Sequence, residues 1–299
     1  MDANWKINPS LLDNRYDNAF NNDFFHRFQL RHADKELSLT DNISKNYLFP
    51  TYYSNVSCSI SVFMCNYKKA TKIMLDPLIK PVRMPCGRAL ITFSCYEYRN
   101  VLGMDPYNEI AIAMPVMVNP RVNIPILPII WNGFNNFGYH VISMPVTSYE
   151  NQIRGLKIWG IPKVVQKIDI NFDGKSSICT AYEESGEPYL RLCVDINGGK
   201  KKHLDVKSNL YTRLEKKLLQ SEINFKGDFT IVKNMDLMLK KNKQPHKTYL
   251  EISDSPSGQI LKNLEIEPYP FQLRYTENMN SSFDLANKEF KSPIYFDVK

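Results

Sequence analysis

The chain has 299 residues, 43% of them hydrophobic and 23% charged, with a net charge of +7. That is ordinary globular usage, long enough for about two domains or one large one, and it excludes a disordered or fibrous chain. The basic excess is small for a dedicated nucleic-acid binder, and the longest dense apolar stretch, residues 124–131 ending in Trp131, is too short to span a bilayer and holds two prolines.

Residues 1–50 are rich in Asn and Asp, with short apolar clusters such as Phe24-Phe25, and read as an N-terminal arm or extension. Residues 51–299 read as one strand-rich domain. The start, MDANWKINPS, has no basic segment followed by an apolar core, so a cytoplasmic protein without a secretory signal is expected. The six cysteines form no C-x-x-C pair and mostly sit in strand-like runs, which predicts buried, reduced thiols.

In chain order, the patterns predict strands over 57–65, 88–98, 109–118 and 139–146, with a short helix over 67–75. Within 109–118, Ile110, Ile112, Met114, Val116 and Val118 face one way and Glu109, Ala111, Ala113 and Pro115 the other. A hairpin is predicted from 163–172 and 177–182 around Asp173-Gly174, then a strand over 189–195. Leu210, Leu214, Leu218 and Leu219 form one stripe, predicting an amphipathic helix over 210–222. Further strands are predicted over 229–240 and 248–253, while Lys200-Lys201-Lys202 and 240–247 read as solvated loops. Short-turned strands with few helices argue for an antiparallel sheet that curls or closes. No G-x-G-x-x-G follows a strand and no phosphate-binding loop motif occurs, so a nucleotide cofactor has no support.

Two stretches carry chemistry. In residues 155–165, GLKIWGIPKVV, Pro162 fixes its own φ and pushes Ile161 toward extended geometry, and Gly160 permits a close approach beside Trp159. Lys163 therefore opens a strand from an apolar platform with no acidic neighbour in sequence. A lysine there is poorly solvated, which lowers its pKa; the alternative is a lysine that snorkels to water. In the second stretch, Glu109 shares its face with the small Ala111 and Ala113, leaving room for a ligand, the alternative being a solvent-facing glutamate at a strand start. His140 lies on the strand before the lysine and could line the same pocket, the alternative being a core or rim histidine. His26, His32, His203 and His246 show no metal-binding spacing.

Together these stretches resemble the acetoacetate decarboxylase family. Gly155, Ile158, Trp159, Gly160, Pro162 and Lys163 keep its G-R-E-[IL]-W-G-[FY]-P-K-K signature, and Tyr107, Glu109, Ala113, Pro115 and Val116 match its Y-x-E-x-x-x-A-x-P-V strand. A weaker echo covers Ala70 to Pro77, and the whole likeness spans roughly residues 55–285. The resemblance implies a mostly β (α+β) fold: a strongly curved antiparallel sheet or closed β-barrel with a few peripheral helices. It also implies that Lys163 is a Schiff-base nucleophile whose imine acts as an electron sink, with Glu109 handling substrate charge and protons. Tyr107, Ser94, His140, Trp159 and Val164 are the expected substrate-side residues. Such a lysine is activated by desolvation or by a nearby cation, acetoacetate decarboxylase being an instance. At an ordinary pKa of about 10.4 only about 0.04% is neutral at pH 7.

The sequence also departs from the family. Val164 stands where a second lysine is usual, which leaves desolvation to do most of the activation. Leu156 and Lys157 replace the Arg and Glu of the signature. Ser94 and a position near Ser57 replace a second pocket glutamate and an arginine. No arginine occurs between Arg31 and Arg83, so only Arg27 or Arg31 of the arm could supply one. The expected function is a lyase acting on a keto acid, first by decarboxylation of a β-keto acid. The alternatives are imine-based aldol condensation, dehydration or cyclisation, and a non-catalytic small-molecule barrel. No cofactor or metal is implied. The expected partners are a small keto substrate and further copies of the chain, with no nucleic acid and no membrane.

Overall fold

The computed structural model describes residues 3–130 and 133–291; Trp131 lies outside them. The strands that build the body are β1 (Thr51–Asn66), β2 (Ile79–Pro81), β3 (Arg88–Val101), β4 (Tyr107–Val118), β5 (Phe137–Val146), β6 (Lys163–Val165), β7 (Ile168–Phe172), β8 (Ser176–Tyr182), β9 (Pro188–Asp195), β10 (Lys200–Leu214), β11 (Lys217–Lys233), β12 (Leu250–Ile252) and β13 (Gln272–Ala286). The helices attached to them include α1 (Tyr67–Lys72), α2 (Tyr149–Arg154) and α3 (Pro256–Lys262).

Seven strands close on themselves in the order β5-β10-β11-β13-β1-β3-β4 and back to β5. Every neighbouring pair is antiparallel except β5 with β10, where Tyr211 lies beside His140 in parallel register. β2 and β6 are short additions to this barrel, and β6 runs parallel to β5 with Lys163 beside Met144. Closure leaves no long free edge, which is how an all-β body avoids pairing with its neighbours.

A second sheet, β7-β8-β9-β12, covers one outer face of the barrel. There Ile110, Ile112 and Met114 of β4 pack with Cys179, Ala181, Leu190 and Leu192 in one core. The opposite face of β4 looks into the barrel, so its sharp alternation has a buried partner on both sides. The expected curled or closed antiparallel sheet is the observed architecture. Among the described residues, no helix is long and apolar enough to cross a membrane.

Residues ahead of β1 wrap the outside of the barrel. Phe20, Phe24 and Phe25 pack with Tyr52 and Leu102. Further along, Tyr47 and Phe49 join the core beneath Trp159, and Lys45 forms a buried pair with Glu150 of α2 at 2.9 Å. Five of the six free cysteines are buried, and Cys86 is exposed.

Several local readings need correction. No helix occupies 210–222: β10 and β11 pair without a break from Lys200↔Ile231 to Leu214↔Lys217, a long hairpin turning at Glu215-Lys216. The leucine stripe was compatible with a helix, but a full ladder of strand pairing outweighs local periodicity. The turn carries no Gly or Asn; Glu215 itself takes φ +54°, so the usual hairpin signal is missing. Lys200-Lys201-Lys202 are exposed, yet they open β10 rather than forming a loop. The run 163–172 is two strands in different sheets, separated at Gln166-Lys167. The strand expected over 229–240 ends at Lys233, and a short 3-10 turn, Met235–Met238, follows. The first helix stops at Lys72.

Candidate active site

The lysine is delivered by a sequence of local devices. Ser148 caps α2, its hydroxyl accepting from the Asn151 amide. The helix then widens into one π-helical turn, Gly155–Trp159, a form often found at functional sites. Gly160 ends it in the left-handed region, φ +64°, where a Cβ would collide with the Arg213 carbonyl. Ile161 and Pro162 lead into β6. Alternation along that short strand turns Lys163 inward, 6% exposed, and Val164 outward, 40% exposed. The lysine stem runs directly over Gly155: a Cβ on that glycine would lie 2.5–2.9 Å from Lys163 Cγ, Cδ and Cε.

Glu109 comes from the start of β4 and meets the lysine from the side. Its Oε2 lies 2.6 Å from Lys163 Nζ, and both side chains are 6% exposed. Tyr98 is within 3.5 Å of the other carboxylate oxygen, and Lys163 Nζ stands 5.8 Å from the centre of the Tyr107 ring. The pair forms part of the wall of a cavity of about 150 Å³ inside the barrel. Ala111, Ala113, Val141, Met144 and Ile161 supply apolar wall, and Tyr53, Ser94, Tyr96, Tyr98 and Arg274 supply polar groups. A dry cavity of that size holds a guest as large as benzene.

Burial is the main force on Lys163 and pushes its pKa below the ordinary lysine value. Glu109 opposes this, since a carboxylate favours the ammonium, whereas the positive charge of Arg154 lowers the pKa further. Arg154 is 1% exposed. Its guanidinium lies 4.2 Å from the centre of the Tyr47 ring and 5.9 Å from those of Phe49 and Trp159. It donates to Thr51 Oγ1 at 3.0 Å and touches the Met104 sulfur. Among the described residues, no carboxylate pairs with it. Desolvation does most of the activation, as the absence of the second lysine implies, assisted by a buried cation contributed from one residue ahead of the signature. The sequence offered a weak signal for it, an arginine closing a helix just before Gly155.

Burial also raises the pKa of the surrounding phenols. Tyr53 is pushed up to about 12, and Tyr96, Tyr98 and Tyr107 well above their ordinary value, with Glu109 contributing to each. These hydroxyls stay protonated and able to donate.

The expected site residues divide into three groups. Lys163, Glu109 and Ser94 line the cavity together. Tyr107 and Trp159 are buried behind it. Trp159 packs on Phe283 at 4.8 Å and donates its Nε1–H to the Asp284 carbonyl, so it supports the lysine turn rather than the cavity wall. Val164 and His140 point elsewhere. On β5, Tyr139 and Val141 line the cavity, so the intervening His140 faces outward; it is 1% exposed, its Nδ1 lies 2.8 Å from the Tyr211 carbonyl, and burial lowers its pKa. Arg27 and Arg31 do not enter the cavity, since they pair with Asp205 and Asp284 at the surface. Arg274 of β13, not singled out from the sequence, lines it instead. Among the described residues, no group of His, Cys, Asp and Glu could hold a metal ion.

No family model and no curated protein matches the sequence. Solved structures do match the fold. Acetoacetate decarboxylase from Legionella pneumophila is 13% identical, with a TM-score of 0.55, over 92% of this chain and 95% of its own. Another acetoacetate decarboxylase structure is 14% identical, TM-score 0.51, over 79% of this chain and 87% of its own. The enduracididine biosynthesis enzyme MppR is 10% identical, TM-score 0.53, over 80% of this chain and 86% of its own, and has also been solved with pyruvate. The chain has the acetoacetate decarboxylase-like fold, and these structural neighbours are enzymes.

Proposed function

We propose that this protein is a Schiff-base enzyme in which Lys163 forms an imine with a keto acid, the first reaction being decarboxylation of a β-keto acid. The observation that carries this reading is the buried contact of 2.6 Å between Lys163 and Glu109 in the wall of a largely apolar cavity. A lowered pKa raises the fraction of Lys163 present as neutral amine at any given pH. Glu109 takes the proton from the ammonium. The amine adds to the ketone carbon, and Glu109 returns the proton to the resulting hydroxyl, which leaves as water. The protonated imine then draws the electrons of the carbon–carboxylate bond as carbon dioxide departs. The enamine that remains is protonated on carbon, and water releases the ketone and regenerates the lysine.

A second reading keeps the imine and changes its fate. Tyr53, Tyr96 and Tyr98 face the cavity as phenols held protonated by burial. Such donors suit an aldol condensation followed by loss of water, with the enamine attacking a second carbonyl compound. The two readings separate in one experiment. The enzyme is incubated with a panel of β-keto acids, and with pyruvate plus an aldehyde, while carbon dioxide and condensation products are measured. Release of carbon dioxide that disappears in Lys163→Ala supports the first reading; condensation that disappears supports the second. Neither product above the Lys163→Ala background would overturn both.

A further inference from the structure

The register of the barrel places an arginine in the cavity from its last strand. Arg274 pairs with Ile60, Ile60 with Ser94, and Ser94 with Ala111, so four neighbouring strands contribute these side chains at one level. All four line the cavity. Glu109 precedes Ala111 by two residues on β4, about 7 Å along the strand. Arg274 is only partly buried, and its Nε donates to Gln272 Oε1 at 2.8 Å. Among the described residues, no carboxylate pairs with its guanidinium. A cation on a largely apolar wall, held by a neutral amide, is placed to receive an anion from outside the protein.

We infer that Arg274 holds a substrate carboxylate that is retained through the reaction. Decarboxylation discharges the leaving carboxylate, and a guanidinium bound to that group would stabilise the starting state more than the transition state. The anion at Arg274 is therefore a different one from the group lost. For decarboxylation this makes the substrate class a β-keto acid with a second carboxylate. For condensation and dehydration it is a simple keto acid, whose carboxylate survives. This choice of substrate rests on the imine reading of Lys163; binding of the anion rests only on the cavity.

Pentanoate tests the binding without an imine, because it has no carbonyl. Its affinity and that of pentanamide are measured by calorimetry for the wild-type chain, Arg274→Gln and Arg274→Lys. The wild type should prefer pentanoate. Arg274→Gln should weaken pentanoate binding roughly 10- to 100-fold and leave pentanamide unchanged, with Arg274→Lys in between. Equal pentanoate affinity in wild type and Arg274→Gln overturns the assignment. So does an equal loss of both ligands, which would make Arg274 part of the wall packing. Borohydride reduction with 4-oxopentanoate separates this from the chemistry. A missing Lys163 adduct beside an intact pentanoate preference removes the imine and leaves the Arg274 site standing.

Discussion

The stem of Lys163 lies across Gly155 with no room for a side chain between them; a Cβ there would stand 2.5 Å from Lys163 Cδ and 2.8 Å from its Cε. Gly155 is helical in conformation, so its role is space rather than backbone freedom. Gly155→Ala should force the lysine off Glu109 while the barrel remains folded. The expected cost is about 1–3 kcal/mol in stability from overpacking, read by denaturant unfolding, with imine trapping falling at least about tenfold. Full trapping in Gly155→Ala would show that the lysine does not need this position.

Glu109→Gln should have two opposite effects. Loss of the carboxylate removes what favours the ammonium, so the Lys163 pKa falls further and the pH limb for imine formation moves to lower pH. Turnover nevertheless drops by about 10²–10⁴-fold, because proton transfer is lost. Steady-state kinetics and trapping, each measured across pH, separate the two.

Arg154→Met should move the same limb the other way. Removing a buried positive charge relieves repulsion on the ammonium, the Lys163 pKa rises, and imine formation needs higher pH. A limb left where it was would mean that burial alone activates the lysine.

Val164→Lys puts an ammonium at the position where the family has its second lysine. Here that side chain is 40% exposed and sits on the opposite face of β6 from Lys163. The pH profile of imine formation should therefore stay unchanged. An acid-ward shift would show that position 164 can reach the pocket after all.

Glu109 and Lys163 were both readable because each is fixed by its near neighbours: one by alternation with Ala111 and Ala113, the other by the Gly160-Ile161-Pro162 turn. Their sharing of one cavity follows from that alternation together with the family resemblance; the 2.6 Å contact itself was not readable, since it needs β5 to carry β6 alongside β4. Arg274 was unreadable for the same reason: what makes it a cavity residue is its register with Ile60 on a distant strand. The hairpin of β10 and β11 looks helical in the sequence because Leu210 serves the cavity wall and Leu218 the outer core, which a helical stripe mimics. On β5 Tyr139 and Val141 are the inward pair, so His140 is the buried histidine of the alternative reading rather than a pocket residue.

The central claim is the imine on Lys163. Borohydride reduction in the presence of a panel of keto acids, followed by peptide mapping by mass, tests it most directly. The account predicts one adduct, on the peptide holding Lys163, absent in Lys163→Ala. Adducts spread over surface lysines, or an adduct that persists in Lys163→Ala, would contradict it.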